Sequence, residues 1–498
     1  MDYFFRKGNN AMTYRRRIGI IATEISQRPW FNYVLLFLIT LLAAAFRFYK
    51  LGVWSFWIDE WYTINHATAH FSTPELILDN IAPVRNWVPI SVISTAQVLN
   101  ILGINEWSAR LTSALIGILS IPILYFPTRR MFGDRVALIA SLLIAVSPWH
   151  IFWSQNARFY TSLLLFYSLS VFAFHFGLER NKPGYFIAFC VLLYLAISER
   201  LTALFIFPAI AAYMIALWVF RFERPPGLHL KTLLLIGLPV LAGGLIEAYS
   251  WIANGESRFF GDFNWFFQYR NDDPLRLLGN ISFNMGVPLM ALALFSALFL
   301  ILKKDRAGLW LATNAAVPLV ALVAANPIIF TKDRYVFITL FSWIILAAIG
   351  INELFTQVNG IHKWLAVGVL VLVLAHAGSE NVLYYRVNNG NRADWRAAFH
   401  LIQAQSQPDD IVVTYWPEVG AFYLDREFIQ YEEIDVPTIL NGERQYWFVL
   451  DAETIWANPD VKALLEENAR LIDVRYLRTP DDFYLKIYLF DPRQSLPR

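Results

Sequence analysis

Long apolar runs separated by short polar gaps rich in basic residues set the pattern of this chain. A helix that crosses a bilayer needs about 20 largely apolar residues. Runs of about that kind recur at 30–49, 109–128, 136–153, 160–178, 185–199, 202–220, 232–252, 282–302, 308–325, 336–352 and 364–380. The pattern predicts an all-α polytopic membrane domain of about eleven transmembrane helices. Segment 87–103 is also apolar, but Pro89 and several polar positions interrupt it, and it reads as a helix lying near the membrane surface. From about Asn381 the pattern changes. Residues 394–406 have the spacing of an amphipathic helix, and 411–415, 446–450 and 484–490 read as strands. Residues 459–470 read as a helix that opens on its proline, where a missing N–H does no harm. Three parts follow: a basic N-terminus (1–29), a transmembrane domain (30–380) whose first outer loop is 50–108, and a small α/β domain (381–498).

Charge orients this arrangement. Basic residues in short loops mark the cytoplasmic side. The N-terminus carries Arg6, Lys7, Arg15, Arg16 and Arg17. If 87–103 does not cross, every second gap after it is basic too: Arg129, Arg130 and Arg135; Arg180 and Lys182; Arg221, Arg224 and Lys231; Lys303, Lys304 and Arg306; and Lys363. A crossing at 87–103 would move most of these clusters outside. The same registry places 50–108, 154–159, 253–281, 326–335 and the C-terminal domain outside the cytoplasm. The run at 30–49 exceeds the roughly 7–15 residues of a signal-peptide core and reads as a retained first helix.

Composition agrees. Apolar residues make up 57% of the 498 and charged ones 16%, against about 25% charged in soluble domains. The 18 Trp and 40 Phe suit the membrane–water interface. A net charge of +2 with no basic stripe excludes a nucleic-acid partner. The single cysteine, Cys190, lies in an apolar run and has no partner for an intrachain disulfide.

Three outer stretches carry candidate chemistry. The first holds Trp57, Asp59, Glu60, Trp61 and Tyr62. Two carboxylates among aromatic rings read as a general base with a supporting acid, the desolvated base raised towards a useful pKa. The flat Trp faces suit stacking on sugars. A plainer account is an interfacial helix with two solvated acids. The second stretch, Gln155-Asn-Ala-Arg158-Phe-Tyr160, puts a guanidinium between two apolar helices, where it would bind phosphate oxygens or snorkel to the interface. The third, Thr331-Lys332-Asp333-Arg334-Tyr335, places basic residues on the face the charge rule leaves poor in them. An anionic ligand would explain them, and so would pairing with Asp333. Arg47, Arg85, Arg110 and the Glu199-Arg200 corner are further candidates of this kind. Together these groups fit transfer from an anionic lipid-borne donor to a hydroxyl.

At these residues the chain resembles GT-C-type glycosyltransferases. It is most similar to the family 39 group of protein mannosyltransferases and aminoarabinose transferases. The resemblance rests on Arg47, then Trp57-Ile-Asp59-Glu60, then Glu106-Trp-Ser-Ala-Arg110-Leu-Thr-Ser-Ala. It continues through Arg129-Arg-Met-Phe-Gly133, Ser147-Pro, Gln155-Asn-Ala-Arg158-Phe-Tyr160, Arg334-Tyr335 and Asp394-Trp-Arg-Ala-Ala. The order covers roughly the first 400 residues. Asn156 stands where many relatives carry Glu, and Ser198-Glu-Arg200 where many carry a His.

The resemblance implies a polyprenyl-phosphate sugar donor, with Asp59 as catalytic base and Glu60 beside it. It implies inversion at the anomeric carbon, at an active site on the outer face of the cell or inner membrane. Arg158, Arg334, Lys332, Arg47 and Arg110 are the expected donor-phosphate ligands, and Trp57, Trp61 and Tyr160 the expected stacking surfaces. The acceptor would be a hydroxyl of a glycan, lipid or protein, with membrane lipids as surroundings. No cofactor is required by this reading, and a divalent cation such as Mg²⁺ or Mn²⁺ at Asp59 is left open. The alternatives are a transporter or flippase for a lipid-linked sugar, for which the chain lacks internal repeats, and a noncatalytic glycan-binding relative.

Overall fold

The computed structural model describes residues 29–72, 89–254, 273–357, 363–431, 444–451, 459–475 and 484–493, together with Phe267. Arg85 lies outside the described residues. In chain order the described helices are α1 (Pro29–Phe48), α2 (Ile58–Ser72), α3 (Ile90–Leu102), α4 (Glu106–Phe132), α5 (Asp134–Val146), α6 (Pro148–Ser154), α7 (Tyr160–Arg180) and α8 (Pro183–Glu199). After a 3-10 turn at Leu201–Phe205 come α9 (Ile206–Val219), α10 (Leu230–Asn254), α11 (Pro274–Met285), α12 (Val287–Leu302) and α13 (Arg306–Ala325). A second 3-10 helix, Asp333–Thr339, runs into α14 (Leu340–Gln357), and α15 (Lys363–Arg386) completes the bundle.

Among the described residues seven helices are long and apolar enough to cross a membrane, or up to nine if each bent pair is one span. All eleven predicted runs fall on helices, but they are not eleven straight spans. The run at 136–153 is split into α5 and α6, which meet at 60°. Pro148 lacks a donor and disfavours helical geometry at Ser147, whose hydroxyl instead accepts from His150 N at 3.4 Å. The run at 282–302 is split more sharply, at 94°, between α11 and α12. Gly286 turns the chain there at φ 90°, a conformation open to glycine. The run at 185–199 falls on a shorter apolar helix, α8.

Helix α3 has 13 residues, so it spans roughly 20 Å, well short of the roughly 30 Å hydrocarbon core. It lies against α2 and α4. Its first turn is tied to the end of α8: Glu199, wholly buried, accepts from Ser91 N at 3.1 Å and Ser91 Oγ at 2.5 Å. A carboxylate at a helix N-terminus meets unpaired N–H groups there. Helix α4 starts on a capping box in which Asn105 accepts from Trp107 N and Ser108 N, and Ser108 Oγ accepts from Asn105 N.

Beyond the bundle α16 (Trp395–Gln405), β1 (Ile411–Thr414), α17 (Pro417–Tyr423), β2 (Phe428–Gln430), β3 (Tyr446–Leu450), α18 (Pro459–Asn468), β4 (Arg470–Arg475) and β5 (Leu485–Phe490) form the α/β unit. The sheet order is β2-β1-β3-β5-β4; β1 pairs parallel with β2 and β3, and β5 antiparallel with β3 and β4. Strands β1 and β3 are buried at every position, because both faces are covered. Trp395, Phe399 and Ile402 of α16 pack on one face, and Leu465 of α18 on the other. Strands β2 and β4 were not expected from the sequence. Strand β2 has three residues, and β4, at the sheet edge, carries Arg470, Asp473 and Arg475. The last bundle helix continues to Arg386, beyond the change in composition at Asn381.

Candidate active site

The acidic pair opens α2, and its two members have opposite surroundings. Glu60 is completely buried. Its carboxylate receives both arms of Arg110, Nε to Oε1 and Nη2 to Oε2, each at 2.8 Å, and Ala157 N at 2.9 Å, with Arg392 Nε 3.9 Å away. The remaining Arg110 donors go to the carbonyls of Leu51, Trp54 and Ser55 at 2.9–3.0 Å. All five guanidinium donors are thus engaged inside the protein. Burial works against the charge on Glu60, but Arg110 and Arg392 outweigh it and hold the carboxyl below its ordinary range. Glu60 therefore anchors the loop, and Arg110 has no donor left for a phosphate.

Asp59 faces the other way, with 18% of its side chain exposed. Arg334 Nη1 donates to its Oδ2 at 2.7 Å, and Arg158 Nη2 lies 3.9 Å from the same oxygen. Arg158 Nη1 also donates to the Asp59 carbonyl at 2.7 Å and to Thr63 Oγ1 at 3.0 Å. Burial pushes the Asp59 carboxyl up, but Arg334, Arg158 and Arg200 together hold it below the usual carboxylate range. This corrects the expectation of a raised base: the aromatic setting is real, but three guanidiniums override it.

The Gln155–Arg158 stretch accounts for this geometry residue by residue. Gln155 Nε2 donates to the carbonyls of Phe46, Arg47 and Tyr49 and so closes the end of α1. Asn156 Oδ1 accepts from the Trp57 indole at 2.9 Å. Ala157 N holds Glu60, and Arg158 holds the backbone of Asp59. Four consecutive residues thereby fix the first helix and the loop that carries the acids.

The other predicted residues divide. Trp57 presents its ring to Arg334, with Cζ 5.9 Å from the centroid. The Lys332 ammonium sits over Phe330 at 5.3 Å, while Asp333 accepts from Arg334 N and from Asn284 Nδ2. Arg47 is not at the site. It is wholly buried and donates to the carbonyls of Ala43, Ala145 and Ile144 and to His150 Nδ1. It pins α1 to the α5–α6 break, where Gly117 leaves the room: a Cβ there would meet Ser154 Oγ and Arg47 Nε. Tyr160 is also fully buried, its ring 3.8 Å from that of Trp153, so it offers no face for a sugar. Trp61 packs between Phe56 and Phe422.

Two features had no strong sequence signal. Arg392, buried between Trp54 and Phe152, donates to the Gln155 carbonyl at 2.6 Å. The α/β unit also grips the acidic loop by its backbone. The Tyr423 hydroxyl accepts from Phe56 N at 2.6 Å and donates to Glu106 at 2.8 Å. Ser55 Oγ donates to the Ala393 carbonyl and accepts from Trp395 N. Arg396 reaches the Val53 carbonyl and Glu106. Burial and the neighbouring Glu106 push the Tyr423 phenol up, so it stays a donor. Tyr423→Phe should lower stability by about 1–3 kcal/mol, the cost of leaving buried partners unmatched. Thermal unfolding of the purified protein in detergent checks this.

Among the described residues no three His, Cys, Asp or Glu side chains come together to hold a metal ion. The surroundings of Asp59 do not fit a divalent cation, because the carboxylate that would bind it faces three guanidiniums.

This arrangement of a polytopic helical bundle, an acidic loop and a small α/β unit is similar in fold to GT-C glycosyltransferases. Residues 87–245 match the family described as dolichyl-phosphate-mannose-protein mannosyltransferase; the segment includes Arg110 and Arg158 and begins after Asp59. A glycotransferase of Pyrococcus furiosus, dolichyl-phosphooligosaccharide-protein glycotransferase 2, is 27% identical over 183 residues, 33% of this chain and 24% of that protein. This chain therefore spans about a quarter of that relative. ArnT from Cupriavidus metallidurans superposes in its apo state with a TM-score of 0.58 at 15% identity, over 94% of this chain and 99% of that one. A second structure of it is bound to undecaprenyl phosphate. The Archaeoglobus fulgidus oligosaccharyltransferase AglB, in complex with an inhibitory peptide and a dolichol-phosphate, superposes with a TM-score of 0.53 at 14% identity, over 91% of this chain and 74% of that one. The resemblance drawn from the motifs holds in family segment and in fold.

Proposed function

We propose that the chain transfers a sugar from a polyprenyl-phosphate donor to a hydroxyl of a glycan, lipid or protein, outside the cytoplasm and with inversion. One observation carries the reading: a partly exposed carboxylate, Asp59, sits among arginines at the loop end of a GT-C-like bundle. Asp59 takes the acceptor proton as the acceptor oxygen attacks the anomeric carbon. The bond from that carbon to the phosphate oxygen breaks, and its electron pair stays on the carrier phosphate. Arg334 and Arg158 hold that phosphate through charge-assisted hydrogen bonds. Their resting partner is Asp59, so an arriving donor phosphate competes for them and frees the base. Trp57 lines the approach for sugar and acceptor. The undecaprenyl phosphate in ArnT and the dolichol-phosphate in AglB support a lipid carrier of this class.

The test mixes purified protein with polyprenyl-phosphate sugars and an acceptor extract, and follows release of polyprenyl phosphate. Arg334→Ala and Arg158→Ala should each weaken donor use by about tenfold or more, as loss of one such contact implies. An unchanged donor response would make that arginine structural.

Orientation follows from the basic loops. The native thiol is first removed with Cys190→Ser. A cysteine at Lys182 should then resist an impermeant thiol reagent in intact cells, and one at Glu418 should react. Both positions are exposed. Gly133 and Gly390 are poor sites for such labels, because both have positive φ and a Cβ on Gly390 would strike Trp54. The reverse labelling pattern would invert the topology.

A further inference from the structure

Arg200 stands near Asp59 without touching it. It follows the end of α8, beside the anchor Glu199, and its guanidinium lies over Tyr335 at 4.6 Å and Phe159 at 5.4 Å. Among the described residues that guanidinium makes no hydrogen bond or ion pair. It lies within electrostatic reach of both Asp59 and Arg158. Asp59 is therefore one negative charge facing three positive ones, a surplus of two. Asp333 also acts electrostatically on Arg334, but Lys332 beside it carries the opposite charge, so the surplus remains. Among the described residues three buried donors in this region also lack partners: Arg158 Nε, Arg334 Nε and the Tyr160 hydroxyl. Both arginines feel that hydroxyl electrostatically. Orphaned buried donors and surplus positive charge together describe a seat for an oxygen-rich anion.

The charge of that anion discriminates between the two ends of the reaction. A polyprenyl-phosphate sugar is a phosphodiester and carries one negative charge. When the bond from sugar to phosphate breaks, the carrier is left as a monoester of roughly −1.5 to −2 at neutral pH. We propose that the three-arginine cradle is matched to the phosphomonoester left on the carrier, and that Arg200 is the residue that sets this preference over the donor diester. The inference rests on the transferase reading and adds to it that the site favours charge which grows as the bond breaks. Interactions stronger in the transition state than in the bound substrate are those that accelerate chemistry. The same preference makes the spent carrier an inhibitor of its own formation.

The experiment is equilibrium binding of farnesyl phosphate and of its methyl ester, farnesyl methyl phosphate, to the full chain in detergent at about pH 7.5, where the monoester is largely doubly charged. Wild type should bind the monoester more tightly than the diester. Arg200→Gln should weaken monoester binding by about tenfold or more, the range of one charge-assisted contact, and leave diester binding within about twofold on the same scale. Arg200→Met keeps an apolar stem over Phe159 and Tyr335 and should behave alike, so the result does not depend on one variant folding. Equal losses for both ligands, or no loss for either, overturn the role of Arg200. If wild type binds neither ligand, the lipid-phosphate reading itself falls.

Discussion

Asp59→Asn should abolish most transfer while leaving the donor bound. General-base catalysis is commonly worth about 10²–10⁴-fold, and asparagine keeps the shape and loses the proton acceptor. The surroundings of Asp59 sharpen the expectation. Its carboxylate partly neutralises Arg334 and Arg158, so its removal leaves the cradle more positive. Donor and prenyl phosphates should bind the variant at least as well as wild type. Turnover near zero with intact or improved phosphate binding is thus the expected pair of results. Wild-type transfer by Asp59→Asn would remove this residue from the mechanism. The acid limb of kcat/KM should lie below the ordinary aspartate value of about 3.9, because a carboxyl held low by arginines stays ionised as pH falls until that lower value is reached.

Glu60→Gln should fail differently. Removing one partner of a buried ion pair typically costs about 3–5 kcal/mol, because the other charge is left uncompensated. Here two arginines, Arg110 and Arg392, lose their counter-charge in a fully buried cluster. The variant should show low yield and a lowered unfolding temperature, with any folded fraction still binding donor. Truncating Arg110 alone should be as harmful. A stable, soluble Glu60→Gln that lacks only turnover would show that Glu60 takes part in chemistry rather than in holding the loop. Adjacent residues of the same type would thus give opposite phenotypes, one kinetic and one thermodynamic.

The sequence made the helices, the α16 amphipathic face and three of the five strands legible, because each rests on local periodicity. It also singled out the residues that meet at the site: Asp59, Glu60, Arg158 and Arg334. It could not divide them by role. A basic residue at the end of a membrane helix looks the same whether its guanidinium meets a partly exposed carboxylate, as Arg334 does, or a set of carbonyls, as Arg47 and Arg110 do. Arg392 left no strong trace, since its nearest acid, Glu60, lies far away in the chain. The raised pKa expected for Asp59 missed for the same reason: aromatic neighbours are visible in sequence, while three converging arginines are visible only in space. The α5–α6 and α11–α12 breaks could be suspected at Pro148 and Gly286, but hydropathy averages across them.

The grip of the α/β unit on the acidic loop bears on how the protein is made. Phe56 N, Ser55 Oγ and Glu106 emerge early from the ribosome, whereas their partners Tyr423, Trp395 and Arg396 follow the last bundle helix. Until those partners dock, the loop carrying Asp59 lacks these hydrogen bonds and keeps only its contacts to the bundle, such as those from Arg110, Ala157 and Arg158. The acidic loop is therefore completed only when the C-terminal unit docks, after membrane insertion is over. A nascent chain stopped after α15 would lack every one of these contacts to the acidic loop.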